Sequence, residues 1–180
     1  MSVIGATASG LIGACTLTLI HESARRIWPD APRMDVLGMR AIAKSMRQFE
    51  MEKLPSNEQL HNLALVGDVV SNTLYYSLVG IGRPERALRR GTILGLAAGV
   101  GAVLLPEPLG LGKAPSARTP ETKAMTVGWY LAGGLAAAVA YRVLARPVSE
   151  ARRGQQPQRG KSLRRLGGLR GENDERMSAR

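Results

Sequence analysis

Ionisable side chains inside apolar stretches are the first candidates for chemistry in this chain of 180 residues. Asp68 interrupts an apolar run, residues 60–82, that has no other charged side chain. At helical spacing it shares one face with three polar residues, Asn72, Tyr75 and Tyr76. A carboxylate in such a place is costly unless it holds a proton, binds a cation or has a partner. The pattern therefore predicts an intramembrane polar face that serves either transport or structural pairing between helices.

Histidine and glutamate occur together at two places that border apolar runs. His21 and Glu22 follow the first run, while Glu58 and His61 begin the second. If the two helices are neighbours, these side chains meet at one membrane boundary and could bind a metal, or the two histidines could ligate a haem. The Glu-x-x-His spacing occurs only once, however, and adjacent helical residues point about 100° apart. The sequence therefore predicts no definite cofactor and leaves a metal or haem as an alternative.

Four apolar runs are the elements that must position these residues. Three contain no charged side chain, namely residues 3–20, 91–105 and 124–141, and the fourth is residues 60–82. Each approaches the roughly 20 residues that cross a bilayer core as a helix. The prediction is an all-α integral membrane bundle of about four transmembrane helices within residues 1–147, with a soluble helical bundle as the alternative.

A fifth helix is predicted between the first two runs. Pro29 and Pro32 exclude a continuous helix there, and Asp35 is a suitable N-cap for a new one. Over residues 35–53 apolar side chains recur every three or four positions, while basic side chains take another face. This pattern predicts an interfacial amphipathic helix that lies on the membrane surface or covers the bundle.

Small residues recur at four-residue steps in three of the runs, and such lines let helix backbones approach closely in lipid. The three lines are Gly5, Ser9 and Gly13; Gly91, Gly95 and Gly99; and Gly128, Ala132 and Ala136. We expect them to pack against other membrane protein subunits or a second copy of the chain.

The leading functional hypothesis is accordingly a non-enzymatic accessory or structural subunit. The sequence has no Gly-rich phosphate loop, catalytic triad or zinc spacing, which argues against an enzyme. A small transporter or proton or ion conductor centred on Asp68 is the first alternative. A metal-binding or haem-binding membrane protein that uses His21 and His61 is the second.

The net charge of +11 is unevenly distributed, because eleven of the 25 basic residues lie at or beyond Arg142. Residues 148–180 are predicted to be a basic, disordered cytoplasmic tail that faces anionic lipid. Nucleic acid is not expected as a partner, because this tail has no aromatic side chain for base stacking. A second basic segment, also expected to face lipid, contains Arg83, Arg86, Arg89 and Arg90.

Orientation follows from the distribution of basic residues in the four-helix arrangement. Fifteen lie on the side of the termini and ten on the other, which favours cytoplasmic termini. The single cysteine, Cys15, excludes an intrachain disulfide. Its surroundings are similar to a lipoprotein cleavage site, but no basic residue precedes it, so a retained helix with a buried, inert thiol is predicted.

Residues 5–10, the pair His21-Glu22 and residues 29–39 together resemble small bacterial multi-pass membrane proteins of unknown activity. The resemblance covers about the first quarter of the chain. It implies a location in the bacterial cytoplasmic (inner) membrane and carries no reaction or substrate with it.

Overall fold

A computed structural model describes the backbone of residues 3–50 and 55–154, and the side chains of those residues up to 145. The described residues form helices joined by turns and loops, and they contain no β-strand. The α-helices, in chain order, are α1 (Val3–Ile27), α2 (Met34–Gln48), α3 (Asn57–Ser77), α4 (Ala87–Leu104) and α5 (Pro120–Gly154). Two 3₁₀ turns, Leu78–Gly80 and Pro84–Arg86, connect α3 to α4. The chain divides into two units, Met1–Ala145 and Arg146–Arg180, and the packing below is that of the first.

Two helices, α3 and α2, differ in how the local sequence sets their first residue. Ser56 caps α3 in a reciprocal capping box with Gln59. The predicted N-cap of α2 is wrong, because α2 begins one residue earlier and Arg33 occupies the cap position. Asp35 lies in the first turn, where its carboxylate accepts two hydrogen bonds from the Arg33 guanidinium.

The ends of three helices differ from the predicted bounds. α1 continues through its charged end to Ile27, and α5 continues to Gly154, beyond the predicted domain boundary at residue 147. α2 ends at Gln48, earlier than the predicted residue 53. The rest of the predicted basic tail, residues 155–180, lies outside the described residues.

Glycine contacts hold α5 against α1 and α4. A Cβ atom added to Gly91 would lie 2.3 Å from the carbonyl oxygen of Gly134, and one added to Gly13 would lie 2.7 Å from that of Gly133. Gly95 and Gly99 meet the α5 backbone in the same way. The helices therefore approach at backbone distance, as small-residue lines allow in lipid.

The predicted lines differ in what they contact. Ser9 is buried and Gly5 is half-buried on α1, and Gly91, Gly95 and Gly99 are buried on α4. On α5 the prediction is off by about one residue, because Gly128 is exposed to open space and Ala132 and Ala136 are only half-buried. The buried residues among the described side chains of α5 are Thr122, Thr126, Tyr130, Gly133, Gly134, Ala137, Ala138 and Tyr141.

The outer surface of the bundle is apolar. Large hydrophobic side chains are exposed on α1, α3, α4 and α5. Cys15 is also exposed, so the predicted buried thiol is wrong. Within the part of the chain that the structure describes, three helices are long and apolar enough to cross a membrane, over Val3–Ile27, Pro84–Leu104 and Pro120–Ala145. The all-helical class is thus confirmed, whereas α3, predicted to span over residues 60–82, is not among these three.

Candidate functional site

A cavity of about 360 Å³ lies between α1, α2 and α3. At one end of the cavity, α1 and α3 are in backbone contact, since a Cβ on Gly10 would clash with the Thr73 carbonyl oxygen. Toward the other end α2 covers the gap, and Leu111 from the α4–α5 connection contributes to the wall. The polar lining residues are Thr18, His21, Glu22, Arg25, Asp35, His61, Asp68 and Ser71.

Two basic side chains of α2 fix the connection that completes this wall. Arg40 donates hydrogen bonds to the carbonyl oxygens of Leu111 and Lys113, at 3.2 and 3.0 Å. Lys44 donates to the carbonyl oxygen of Leu109 at 2.5 Å. The basic face of the amphipathic helix thus binds a loop of the protein itself, while its other face borders the cavity.

Asp68 lies in the cavity wall with neutral partners only. Its Oδ1 accepts a hydrogen bond from Asn72 Nδ2 at 2.8 Å, and its Oδ2 accepts one from Thr18 Oγ1 at 3.3 Å. No arginine, lysine or histidine forms an ion pair with it among the described side chains. Two neutral donors compensate a buried carboxylate charge only in part, so this site favours a proton or a cation.

His21 lies in the same wall and has an unsatisfied nitrogen. The side chain is 7% exposed, and its Nε2 is buried without a hydrogen-bond partner. The imidazole packs against Trp129 and Tyr130 of α5, with ring centroids 5.3 and 5.7 Å away. A buried polar atom without a partner is rare and costly, which makes this nitrogen a candidate ligand contact.

The other two carboxylates of the cavity are neutralised by arginine. Glu22 accepts two hydrogen bonds from Arg25, its neighbour one helical turn away. Asp35 accepts two from Arg33, at 2.9 and 2.7 Å, and His61 Nδ1 lies 4.0 Å from Asp35 Oδ2. Partial burial acts to raise the pKa of Asp35, but the hydrogen bonds and charge of Arg33 outweigh it and leave this pKa below its ordinary value.

The four residues proposed as metal ligands are only partly brought together. His21, Glu22 and His61 line the cavity, whereas Glu58 is exposed and lies outside it. Both carboxylate oxygens of Glu22 are engaged by Arg25. Among the described residues, no three His, Cys, Asp or Glu side chains are grouped so that they could hold a metal ion.

The predicted polar face of α3 contacts three different neighbours. Tyr75 donates a hydrogen bond to the carbonyl oxygen of Leu94 on α4 at 3.0 Å. Tyr76, which is fully buried, donates to the carbonyl oxygen of Tyr130 on α5 at 2.8 Å. Only Asp68 and Asn72 remain as a pair at the cavity, so the two tyrosines serve the bundle.

Sequence reasoning missed Thr18, Asp35 and Ser71 as members of the site. Thr18 is three residues before His21, so both lie on one face of α1, and a hydroxyl in an apolar run was the available signal. The role of Asp35 depends on how α2 folds back over α3, which no local pattern encodes.

The basic segment near α4 is divided between two roles. Arg83, Arg86 and Arg89 are exposed. Arg90 donates to the carbonyl oxygens of Val79 and Arg83, at 2.8 and 3.0 Å, and so stabilises the end of the 3₁₀ turn after α3. Lipid contact through this segment stays a prediction for the three exposed arginines.

In comparisons with protein families, curated proteins and solved structures, no match was found for this chain. The resemblance of the N-terminal quarter to small bacterial membrane proteins therefore stays a prediction, and function has to be argued from the site.

Proposed function

We propose that the chain is a four-span protein of the bacterial cytoplasmic membrane, with both termini in the cytoplasm, that transports protons or small cations by way of Asp68. The single observation that carries the transport proposal is the environment of the Asp68 carboxylate. It lines a cavity and has two neutral hydrogen-bond partners, while the neighbouring carboxylates of Glu22 and Asp35 each have an arginine. A site with one uncompensated negative charge in an apolar bundle is suited to exchange a cation or a proton.

The apolar outer face of α3 supports a fourth span. Its exposed side chains include Leu63, Val66, Val70 and Leu74, each 48–64% exposed, while Asn72 and Tyr76 point inward and are buried. In the middle of α3, the polar side chains of Asp68, Asn72 and Tyr76 thus contact protein or the cavity, whereas Glu58 and Asn62 near its start are exposed. Since α3 packs antiparallel to α1, it occupies the same depth in the bilayer.

The contacts of the small-residue lines on α1 and α4 weaken the accessory-subunit hypothesis, whereas Gly128 of the α5 line faces open space. Gly13, Gly91, Gly95 and Gly99 all contact helices of the same chain, so their surfaces are not free for another subunit. Assembly with a second copy through other surfaces stays a prediction. His21, in contrast, lines the cavity and has a buried nitrogen, Nε2, that the described residues leave without a hydrogen-bond partner.

Single-cysteine labelling tests the fourth span. In a Cys15→Ala background, Phe49→Cys and Arg83→Cys each place one exposed thiol on opposite ends of α3. A membrane-impermeant maleimide added to intact cells is expected to label Phe49→Cys and to label Arg83→Cys only after permeabilisation. Labelling of both from the same side would contradict a spanning α3.

Charge movement in proteoliposomes tests the transport proposal. We expect transient currents on a solid-supported membrane after a concentration jump of protons, K⁺ or butylammonium chloride, and their loss in Asp68→Asn. Ser77→Ala is the matched control, because Ser77 lies on the same helix and donates to the backbone oxygen of Leu74, outside the cavity wall. Currents equal in wild type, Asp68→Asn and empty liposomes would refute the proposal.

A further inference from the structure

We propose that the ligand of the α1–α2–α3 cavity is an organic ammonium ion, an N–H-bearing cation on a short apolar body, held by Asp68 and His21. This inference rests on the cavity being the site of the proposed function and names the chemical class of its ligand.

Charge balance selects a cation. The cavity wall contains the carboxylates of Glu22, Asp35 and Asp68 and the guanidinium of Arg25. Arg25 is bound to Glu22, and Arg33 from outside the wall is bound to Asp35. His61 faces Asp35 at 4.0 Å and not Asp68. The remaining charge is that of Asp68, and no cationic side chain in the wall is free to receive an anion.

Hydrogen-bond capacity selects a cation with N–H donors. Each carboxylate oxygen of Asp68 has one described donor and keeps a lone pair for another. The His21 ring lies in the same wall, and its Nε2 has no partner. Thr18, which contacts Asp68 directly, and His21 lie about one helical turn apart on the same face of α1. An ammonium group with several N–H donors can use both.

Size and wall composition select an organic ion over an inorganic one. Calcium and magnesium need six or more oxygen ligands or ordered waters, and the described residues provide no grouped metal ligands. The rest of the wall is aliphatic, with Leu37, Ala41, Ile42, Ala64 and Leu65. About 360 Å³ accommodates a small organic molecule whose apolar part contacts these side chains.

Tryptophan fluorescence offers a direct binding test with purified full-length protein. The chain has two tryptophans, and Trp28→Phe leaves only Trp129, whose ring packs against His21. In this background we expect a saturable fluorescence change on titration with butylammonium. The affinity is expected to fall at least about tenfold in Asp68→Asn, since a buried charge pair loses one partner, and to remain unchanged in Ser77→Ala, a change on the same helix outside the cavity wall.

Three probes separate the recognised features. Tetramethylammonium has the charge but no N–H group, n-butanol has the apolar body but no charge, and K⁺ has the charge alone. Each is expected to bind more weakly than butylammonium, and equal binding of any of them would overturn the proposed ligand class. An unchanged butylammonium affinity in Asp68→Asn would overturn it as well.

His21→Phe provides a second variant should Asp68→Asn aggregate. It keeps an aromatic ring against Trp129 and removes both nitrogens, so the butylammonium affinity should fall by about threefold to tenfold. An unchanged affinity would refute the role of His21. Butylammonium binding without any Asp68-dependent current would contradict transport and leave the ligand class intact. Asp68-dependent currents of protons or K⁺ without butylammonium binding would support transport and contradict the ligand class.

Discussion

The two sides of α1 differ in how closely they pack against the neighbouring helices. Toward α5, Gly13 faces Gly133 and Ala137 at backbone distance, which leaves no space for a ligand. Toward α2 and α3, Thr18 and His21 border a cavity of about 360 Å³. The glycine side sets the distances between helices, and the cavity side contains the His21 Nε2 atom, which has no hydrogen-bond partner among the described residues. A rigid half that supports a more open half is a common way to position a binding site.

The largest expected effect is on the glycine side. In Gly91→Ala the new Cβ would lie 2.3 Å from the Gly134 carbonyl oxygen, and a backbone atom of a packed helix cannot rotate away. We expect a loss of about 3 kcal/mol in stability, the upper part of the range for overpacking, measured as lowered thermal stability in detergent. Gly128→Ala is the control, because its Cβ would meet no atom within 4 Å. Equal stability of both variants would contradict the close packing of α4 on α5.

The cavity side should tolerate a much larger added volume. Ala41→Phe places a ring in the cavity from α2, where Ala41 is half-buried. We expect butylammonium affinity to fall at least about tenfold with a change in stability below about 1 kcal/mol. Ser45→Phe puts the same ring on an exposed position of the same helix and should leave affinity unchanged. Unchanged affinity in Ala41→Phe would show that the ligand binds elsewhere.

Hydrogen bonds between α3 and its neighbours should have smaller effects. Tyr76→Phe removes the hydroxyl that donates to the Tyr130 carbonyl oxygen in the buried core. A loss of about 1 kcal/mol is expected, again from thermal stability in detergent. Tyr75→Phe removes the bond to the Leu94 carbonyl oxygen at a partly buried position and should cost less. The reverse order would contradict the assignment of Tyr76 to the core.

Apolar runs and local spacing predicted much of the bundle. Hydropathy located four helices, and four-residue glycine steps located the packing face of α4, because both depend on residues close in sequence. The packing face of α5 was displaced by one residue, since Gly128 and Gly133 both fit a small-residue line and only the position of α1 decides between them. The cavity was not predictable, because it depends on how α2 folds over α3.

The proposed polar residues show the same limit. Asp68 could be selected from the sequence because a charge in an apolar run is locally visible. The sequence could not show whether the Glu22 carboxylate is free, since its pairing with Arg25 competes with pairing to every other neighbour at the helix end. Tyr75 and Tyr76 were grouped with Asp68 by spacing, yet each hydroxyl reaches a different helix.

The smallest expected effect is the pH dependence of the stabilisation by Asp35, a carboxylate that an arginine neutralises. Arg33 and Arg25 hold the pKa of Asp35 below its ordinary value of 3.8, despite partial burial. Because the folded pKa is the lower one, this carboxylate stabilises the fold fully above the unfolded value, and the contribution disappears as pH falls through the folded value. The stability difference between wild type and Asp35→Asn, measured by thermal unfolding, should therefore be constant above about pH 5 and shrink below about pH 4. Asp30→Asn, a change at an exposed acid without an ion pair among the described residues, is the control variant. A difference that grew on acidification would mean that Asp35 is strained rather than stabilised by its arginine.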